Sequence, residues 1–474
     1  MASRPDFRAL SAWLAATALS ALGWWFGSGL QPLWWATWLA PLPVLLLLLA
    51  TRSRARWAAL AAFAAYLLGG FNEWTYARDY IGLPIPVIAV VLVMPALMLA
   101  LGVLLFRRLL RRQHAAGAAL AVPAVWVAIE YLNSLVSPHG TWGSIAYTQM
   151  NALPVIQVAA ITGLWGISFL VLLLPAAVAT QAVPQTSRRV RVVTMAVALA
   201  LLVAALIYGV ARLQAPAQTT LRIGLASLQK PEQPSLLDPA GQALEARYAQ
   251  VIRRLANEGA RVVVVPETSF ATDASTVPGF AQLAQQHDLT LNVGIDSGAD
   301  PHARRNLSMV FQPGLAAPAT YVKHHLLPGL ESFTPGQTYR MLDGTPRIGL
   351  AICKDMDFHD IGQAYAARGA QLLLVPANDF TVDGWLHSRM AILRSVESGF
   401  ALARAARKGR LTLSDDRGRV LAEASSERRD AELVGDLPLR STQTLYSRWG
   451  DWFAWLDLAV LLALLGLARF PPRD

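Results

Sequence analysis

The stretch RIGLAICKDMDF at residues 347–358 contains Cys353, the only cysteine among the 474 residues of the chain. Apolar residues and one glycine at 348–352 precede the thiol, as in a buried strand, and the polar residues Lys354, Asp355 and Asp357 suit a turn that opens a helix. A thiol at such a corner is held by the sheet, faces the positive end of a helix dipole and is open to a substrate. The alternative is a small buried side chain, which is what most free cysteines are. The rest of the chain favours the first interpretation.

Composition divides the chain into apolar and water-soluble parts. Overall, 54% of the residues are hydrophobic and only 15% are charged. We predict a membrane domain of seven transmembrane helices at 1–216, a soluble catalytic domain at 217–450, and an eighth transmembrane helix with a tail at 451–474. About 20 apolar residues span the hydrocarbon core of a bilayer. Runs of this kind lie at about 10–26, 30–50, 57–77, 84–106, 117–133, 156–180, 192–212 and 453–470.

The positive charge follows the membrane pattern. A net charge of +10 could indicate a nucleic-acid partner, but the arginines are concentrated in short loops such as 52–56, 107–112 and 188–191. We therefore predict a lipid bilayer as a partner and no nucleic acid. By the positive-inside rule, both termini are cytoplasmic and the soluble domain lies outside, which in a bacterium means the periplasm. One cysteine excludes an internal disulfide and a cysteine-based metal cluster, and we predict no metal and no cofactor.

One outer loop, at 134–155, does not have the composition of a membrane span. Its Trp142 and Tyr147 belong to residue types that favour the headgroup depth of a bilayer. Glu130, just before the loop, has two open interpretations: a functional carboxylate, or one that reaches headgroup water.

Strands and helices alternate in the soluble domain. Apolar strands separated by helices favour a sheet that is covered by helices. We predict strands at 221–228, 261–265, 290–295, 307–312, 319–325, 347–353, 371–379, 400–406, 409–415 and 419–425, and helices at 239–258, 278–287, 359–369 and 386–400.

Three ionisable groups lie at the ends of apolar strands: Glu267, Lys323 and Cys353. Taken singly, the glutamate could cap a strand and the lysine could lie at a sheet edge. If the three share one pocket, Glu267 takes the thiol proton and Cys353 attacks a carbonyl carbon. Lys323 then stabilises the developing oxyanion, with the Lys354 backbone N–H as a second donor.

These residues carry a resemblance. The sequence PET at 266–268, the pattern K-x-H-L-x-P at 323–328 with Glu331 beyond it, and the strand-borne Cys353 resemble the Glu-Lys-Cys triad of the nitrilase superfamily. With membrane spans on both sides, the chain resembles the apolipoprotein N-acyltransferase family over nearly its whole length. Further stretches that carry this likeness are QPLWWATWLAPLPVLLLL at 31–48, GGFNEW at 69–74, WGSIAYTQ at 142–149, GLWGISFL at 163–170 and PAND at 376–379.

The resemblance implies a fold and an activity. The expected fold is a multi-span α-helical membrane domain plus an α/β nitrilase-like αββα sandwich. The expected enzyme is an N-acyltransferase of the bacterial inner membrane. It takes an acyl chain from a phospholipid as a Cys353 thioester and passes it to the α-amine of a diacylated lipoprotein. Supporting roles are expected for Glu331, Lys354 and Asp355, and substrate binding for Trp142, Tyr147, Leu237, Asn378, Trp385 and His387.

The chain also departs from that family. Cys353-Lys354-Asp355 stands where the family usually has Cys-Tyr-Glu, Gly329-Leu330 replaces a phenylalanine-glycine pair, and Leu237 takes the place of a tryptophan. These changes leave the chemistry intact and bear on substrate preference. Two alternatives stay open: a membrane-tethered nitrilase-type amidase that hydrolyses a lipid-like amide, and a catalytically silent scaffold.

Overall fold

The structure, a computed structural model, describes residues 7–50, 55–184, 186–230, 234–298 and 303–469. The chain forms two compact units. The membrane unit comprises the described residues up to Leu135, Gly143–Arg212 and those from Asp451 onward, and the soluble unit comprises Val136–Trp142 and Leu213–Gly450. The short segment 136–142 therefore belongs to the soluble unit, although its neighbours in sequence on both sides belong to the membrane unit.

The membrane unit is helical. Six helices of the described chain are long and apolar enough to cross a membrane: 9–27, 85–111, 115–136, 164–181, 188–213 and 452–469. Before the soluble unit, its helices are α1 (Phe7–Gly27), α2 (Trp34–Leu39), α3 (Leu42–Ala50), α4 (Ala55–Gly70), α5 (Ile85–Arg111), α6 (Ala115–Val136), α7 (Leu153–Ile156), α8 (Ala159–Thr162), α9 (Leu164–Gln181) and α10 (Arg188–Leu213).

Two of the predicted spans are shorter than expected. The apolar run at 30–50 is divided between α2 and α3, which meet at Ala40 and Pro41, and a proline lacks the N–H that an uninterrupted helix requires. The run at 57–77 forms the 16-residue α4 and then continues in 3₁₀ and π turns. The total of eight spans stays a prediction. Arg52 and Arg54, on which part of the predicted orientation rests, lie outside the described residues.

Helix α10 shows the surface expected of a lipid-exposed span. Its apolar side chains are largely uncovered by protein, with Val203 50% and Ile207 65% exposed. A helix that is apolar all round is stable in water only if protein covers it, whereas a bilayer can cover it with lipid.

The soluble unit alternates strands with helices, as the sequence predicts. Its elements are β1 (Thr219–Ser227), α11 (Pro239–Asn257), β2 (Val262–Val264), β3 (Phe270–Ala271), α12 (Pro278–Gln286), β4 (Thr290–Ser297), β5 (Arg305–Phe311), β6 (Ala319–Val322), β7 (Ile348–Leu350), α13 (His359–Ala367), β8 (Leu372–Asn378), α14 (Gly384–Ser398), β9 (Ala401–Arg407), β10 (Arg410–Ser414), β11 (Val420–Ser425), β12 (Ala431–Leu439) and α15 (Leu445–Trp449). The chain then returns to the membrane unit in α16 (Trp452–Arg469).

Two sheets form the centre of this unit. One has the order β12-β1-β2-β4-β5-β6, with β3 beside β4, and the other has the order β11-β10-β9-β8-β7. Buried residues of both sheets, such as Val264 and Leu374, pack together in one core. Tyr248 of α11 and Phe280 of α12 pack in a second core on the outer face of the first sheet, and α14 packs against β9 and β10. The expected αββα sandwich is confirmed.

The closing strand β12 was missed by the sequence analysis. It pairs antiparallel with β1 at the edge of the first sheet. Its sequence, AELVGDLPL, carries two acidic residues, a glycine and a proline, and most of its side chains are only half-buried. Edge strands tolerate such residues, and for this reason the apolar pattern is weak.

The parallel strands β7, β8 and β9 position the site. Leu350 pairs with Leu374, and Asn378 at the end of β8 pairs with Arg407 at the end of β9. The carboxyl ends of parallel strands meet at one edge of a sheet. The residues that follow β7, β8 and β9 therefore lie side by side at this edge. Cys353, which follows β7, is one of them.

Candidate active site

Lys323, directly after β6, lies between two carboxylates. Its side chain is fully buried, and Nζ lies 2.7 Å from Glu267 Oε1 and 2.8 Å from Glu331 Oε1. Burial alone would lower the pKa of Lys323, but the charge of Glu267, with a smaller contribution from Glu331, raises it well above its usual range. The lysine is therefore a cation held in place by two anions, since an unpaired buried charge would cost several kcal/mol.

Glu267 follows β2 and is also buried. Its Oε1 accepts hydrogen bonds from Lys323 Nζ and from Asn306 Nδ2, each at 2.7 Å. Glu267 Oε2 accepts no hydrogen bond from the described residues, so this oxygen is available to take a proton. Burial raises the pKa of Glu267, against the opposing charge of Lys323. A carboxylate with a raised pKa is a stronger base than one in water.

Cys353 lies on a strained turn after β7. Its φ is +45°, in the left-handed region that residues with a side chain rarely adopt. The thiol donates a weak hydrogen bond to the backbone oxygen of Asn378 at 3.7 Å. Burial raises the pKa of the Cys353 thiol well above its usual range, and Glu267 adds to this while Lys323 opposes it. The resting thiol therefore keeps its proton and needs a base to become a nucleophile.

The thiol opens a 3₁₀ turn that precedes the predicted helix at 359–369. Cys353–Asp357 form one short 3₁₀ turn, and the α-helix starts only at His359. The predicted help from a helix dipole is therefore small, because one turn sums few peptide dipoles. Burial raises the pKa of the thiol most, and the nearby charges of Glu267 and Lys323 come next.

Asp355 connects the cysteine turn to the lysine strand. Its Oδ2 accepts hydrogen bonds from the Tyr321 hydroxyl at 2.8 Å and from the Ile352 N–H at 2.9 Å. Its Oδ1 accepts the two backbone N–H groups of residues 324–325. These partners lie on either side of Lys323 in sequence and directly before Cys353, so one buried carboxylate ties both segments together.

The Lys354 side chain contacts the segment 136–142. Its Nζ lies 3.2 Å from His139 Nδ1 and 3.5 Å from Asp357 Oδ2. Thr141 donates both its backbone N–H and its hydroxyl to the Asp357 backbone oxygen, at 3.0 and 2.8 Å. The segment therefore supports the 3₁₀ turn that begins with the cysteine. A role for the Lys354 backbone N–H at an oxyanion stays a prediction.

A cavity of about 490 Å³ opens beside these groups, and Glu267, Glu331 and Asn378 line it. It therefore reaches both carboxylates that hold Lys323, and also Asn378, whose backbone carbonyl accepts the hydrogen bond of the thiol. Leu330 adds an exposed apolar side chain to the rim. Arg407 and Lys408 add positive charge.

The other predicted binding residues lie elsewhere. Within the described part of the chain, Asn378 is the one of the six that lines this cavity. Trp385 and His387 lie in α14, where Arg389 covers the indole ring and His387 Nε2 lies 2.9 Å from Asp383 Oδ2. A substrate-binding role for the six candidates stays a prediction. As for the rest, Leu237 is 85% exposed, Trp142 is half-buried in segment 136–142, and Tyr147 is buried in the membrane unit.

Several site residues were missed by the sequence analysis. Tyr321 could have been identified from the sequence, since the two-residue period of a strand places it on the same face as Lys323. Asn306, the second residue of β5, gives no such signal, because its hydrogen bond to Glu267 joins distant parts of the chain. The buried pair of Asp379 and Arg404, with two hydrogen bonds at 2.6 and 2.9 Å, is another long-range contact of this kind.

Comparison with known proteins finds a family match for each of the two parts of the chain. A family profile described as the apolipoprotein N-acyltransferase N-terminal domain matches residues 11–177, and a carbon-nitrogen hydrolase profile matches residues 225–446. An apolipoprotein N-acyltransferase from Geobacter metallireducens is 27% identical over 93% of this chain and 91% of its own. An omega-amidase from Homo sapiens is 30% identical over 41% of this chain and 82% of its own.

A solved structure is also similar to the soluble part. An amidase from Nesterenkonia sp. is 25% identical, covers 46% of this chain and 90% of its own, and has a TM-score of 0.39. The two family profiles and the full-length relative account together for the membrane helices and for the soluble unit. This protein therefore belongs to the apolipoprotein N-acyltransferase family, the membrane branch of the carbon-nitrogen hydrolase superfamily.

Proposed function

We propose that this protein moves an acyl chain from a phospholipid, through a thioester on Cys353, to the α-amine of a diacylglyceryl-cysteine at a lipoprotein N-terminus. The observation that carries the proposal is the position of Lys323 between Glu267 and Glu331, beside a cavity that reaches the backbone partner of the thiol. Membership of the N-acyltransferase family supports acyl transfer to lipoproteins in general.

In the first step, Cys353 Sγ attacks the ester carbonyl carbon of the donor while Glu267 Oε2 takes the thiol proton. Lys323 stabilises the oxyanion, and its two carboxylate partners keep the ammonium fixed so that little reorganisation is needed. The bond from carbon to the glycerol oxygen then breaks. Glu267 returns the proton to that oxygen, and the lysophospholipid leaves.

In the second step, the α-amine of the lipoprotein attacks the thioester carbonyl. Glu267 takes a proton from the amine, the carbon–sulfur bond breaks, and the proton passes to the sulfur. The products are an amide and the original thiol. Water must be kept from the thioester throughout, since hydrolysis would waste the acyl group.

The arrangement along the chain supports a site at the membrane surface. Apolar helices precede and follow the soluble unit, so both of its ends are anchored. We place the stretch 217–450 in the periplasm and both termini in the cytoplasm, because the arginines concentrate in alternate loops. Donor and acceptor are both lipid-anchored, so a site held at the outer leaflet meets both.

A labelling experiment tests the proposal. Purified protein is mixed with a phospholipid that carries a labelled acyl chain, and the protein should acquire a label that hydroxylamine removes. The Cys353→Ala variant should acquire none, and a label that persists there would refute the thioester. A diacylated lipopeptide with a free α-amine is then added, and mass spectrometry should find the label on its amine.

A second candidate is a membrane-tethered amidase, in which water replaces the amine. The similarity of the soluble part to an omega-amidase favours it. The same experiment separates the two, because an amidase would release the label as free fatty acid and leave the lipopeptide unchanged. It would also cleave an amide donor in the absence of any lipopeptide.

A further inference from the structure

The charges around the active-site cavity do not cancel. Seven ionisable residues line it, four of them basic and three acidic. Arg304 is paired with Asp296 through two hydrogen bonds. Glu267 and Glu331 share the single ammonium of Lys323. The remaining three basic residues are Lys230, Arg407 and Lys408, and their positive charge exceeds the one negative charge left over from the two glutamates.

Arg407 is half-buried. It ends β9, and its Nε donates a 3.2 Å hydrogen bond to Asn378 Oδ1, a neutral acceptor. Among the described residues, no carboxylate forms an ion pair with it. Burial lowers the pKa of Arg407 to about 10, so the guanidinium is still a cation at neutral pH but poorly compensated. A cation in such surroundings favours an anionic ligand, because the ligand restores the lost solvation.

Lys408 extends the same positive surface. It is exposed, follows Arg407 directly, and has a φ of +54° in the turn between β9 and β10. It too forms no ion pair within the described part of the chain. Lys230 reaches the cavity from the other sheet, where its ammonium donates to the backbone oxygen of Thr268. The segment after β1 and the end of β9 thus bring uncompensated positive charge to one cavity.

The position of Arg407 relative to the nucleophile is set by the sheet. Cys353 follows β7, Asn378 ends β8, and Arg407 ends β9, and these three strands are parallel neighbours. Adjacent strands lie roughly 4.8 Å apart, so two spacings separate β7 and β9 by roughly 10 Å. In a glycerophospholipid, only the short glycerol backbone separates the acyl ester from the phosphodiester. One donor molecule can therefore present its ester to the sulfur and its phosphate toward the end of β9.

We propose that Arg407 and Lys408 bind the phosphodiester of the acyl donor and thereby orient its ester toward Cys353. This inference rests on the proposed function, since it assigns a subsite to the donor of that reaction. A guanidinium offers a fork of N–H donors that matches phosphate oxygens, and the lysine adds a point charge beside it. The site should therefore select donors with a phosphate over donors with a free hydroxyl at the same carbon.

The test compares two donors that share their acyl chains. Phosphatidylglycerol and diacylglycerol, each with a labelled acyl chain, are given separately to the full-length protein in the same neutral detergent, and the initial rate of Cys353 acylation is measured. The wild type should use phosphatidylglycerol faster by roughly 10-fold to 100-fold, which is the value of one or two hydrogen bonds to a charged group. The doubly substituted protein, Arg407→Gln with Lys408→Gln, should lose this preference.

The controls make the outcome specific. In the double variant the phosphatidylglycerol rate should fall by a larger factor than the diacylglycerol rate, and Arg407→Lys should retain part of the preference. Arg253→Gln removes an exposed positive charge of α11 that does not line the cavity, so it should change neither rate. A loss of both rates to the same extent in the double variant would show that the two residues serve only folding, and would overturn the inference.

Other results separate the remaining explanations. If the wild type forms no thioester from either donor, the proposed function itself fails. If it forms the thioester equally fast from both, the function stands and only the phosphate subsite is wrong. If the site serves free phosphate, inorganic phosphate should stimulate acylation from diacylglycerol in the wild type but not in the double variant, and this result would also overturn a donor-binding role.

Discussion

The Tyr321 hydroxyl donates a hydrogen bond to Asp355 Oδ2 across 2.8 Å, and this bond joins the strand of the lysine to the turn of the cysteine. Tyr321 lies two residues before Lys323, and Asp355 lies two residues after Cys353. This buried contact therefore helps to hold the segment of Lys323 against the turn of Cys353. Reactive groups must be held to within a fraction of an ångström, and supporting contacts of this kind provide that precision.

Asp355→Ala should impair both stability and acylation. The substitution removes the acceptor of four hydrogen bonds and leaves buried donors without partners, at a cost of about 3 kcal/mol or more. Tyr321→Phe is the matched control, because it removes only one of the four, at about 1 kcal/mol. Thermal unfolding of the purified proteins and the rate of thioester formation measure the two effects. Equal behaviour of the two variants would contradict a positioning role for Asp355.

Lys323→Ala should lower the rate of thioester formation by roughly 10²–10³, which is the usual cost of removing one oxyanion donor. It also leaves Glu267 and Glu331 facing each other without a cation, so the folded protein should be less stable. Glu331→Gln is the informative comparison, since it keeps the pair of Lys323 and Glu267. Its rate of thioester formation should fall less than that of Lys323→Ala, in a single-turnover assay with labelled donor. A near-wild-type rate for Lys323→Ala would remove the lysine from the mechanism.

Lys354→Met should leave the acylation rate within a few-fold of the wild type. The ammonium of Lys354 contacts His139 and Asp357, and the substitution keeps the backbone N–H that we predict to act at the oxyanion. The expected loss is the attachment of segment 136–142, so hydrogen exchange in that segment should become faster. A large loss of acylation with unchanged exchange would instead place the Lys354 side chain on a substrate.

The pair of His387 and Asp383 should make the stability of the folded protein depend on pH. Burial would lower its pKa, but the Asp383 carboxylate at 2.9 Å raises it to about 9. Because the folded-state pKa lies above the ordinary value near 6.5, the stabilisation is complete below about pH 6.5 and is lost as the pH rises through 9. Its size is on the order of 3 kcal/mol. The melting temperature of the wild type should therefore fall more between pH 6.5 and 9.5 than that of His387→Gln, and equal slopes would contradict the pairing.

The sequence predicts those parts of the site that local pattern controls. Glu267, Lys323 and Cys353 each follow a short apolar run, and a run of that kind ends where the strand leaves the core, so their places at strand ends could be foreseen. The alternation of elements predicted a sheet covered by helices, and the αββα sandwich was expected from the resemblance alone. Edge strand β12 escaped notice because half-buried strands carry no continuous apolar run.

What the sequence does not predict depends on contacts between distant residues. Nothing local marks Asn306 as a partner of Glu267 or the four donors as partners of Asp355. The break between α2 and α3 could have been predicted from Pro41, which removes a helical N–H within an otherwise uniform apolar run. Residue type and spacing could not show that the Lys354 side chain contacts His139, because 215 positions separate the two.

The segment 136–142 limits which fragments of this protein can be expressed with an intact soluble unit. A fragment that starts at residue 213 would contain every strand of the sandwich together with Glu267, Lys323 and Cys353. It would lack Thr141, which binds the Asp357 backbone oxygen and accepts a hydrogen bond from the buried Arg394 at 2.9 Å. Expression of such a fragment would therefore expose a buried arginine and loosen the turn that begins with Cys353. The soluble unit is therefore incomplete when it is expressed from residue 213 onward, because seven of its residues lie earlier in the sequence, between membrane helices.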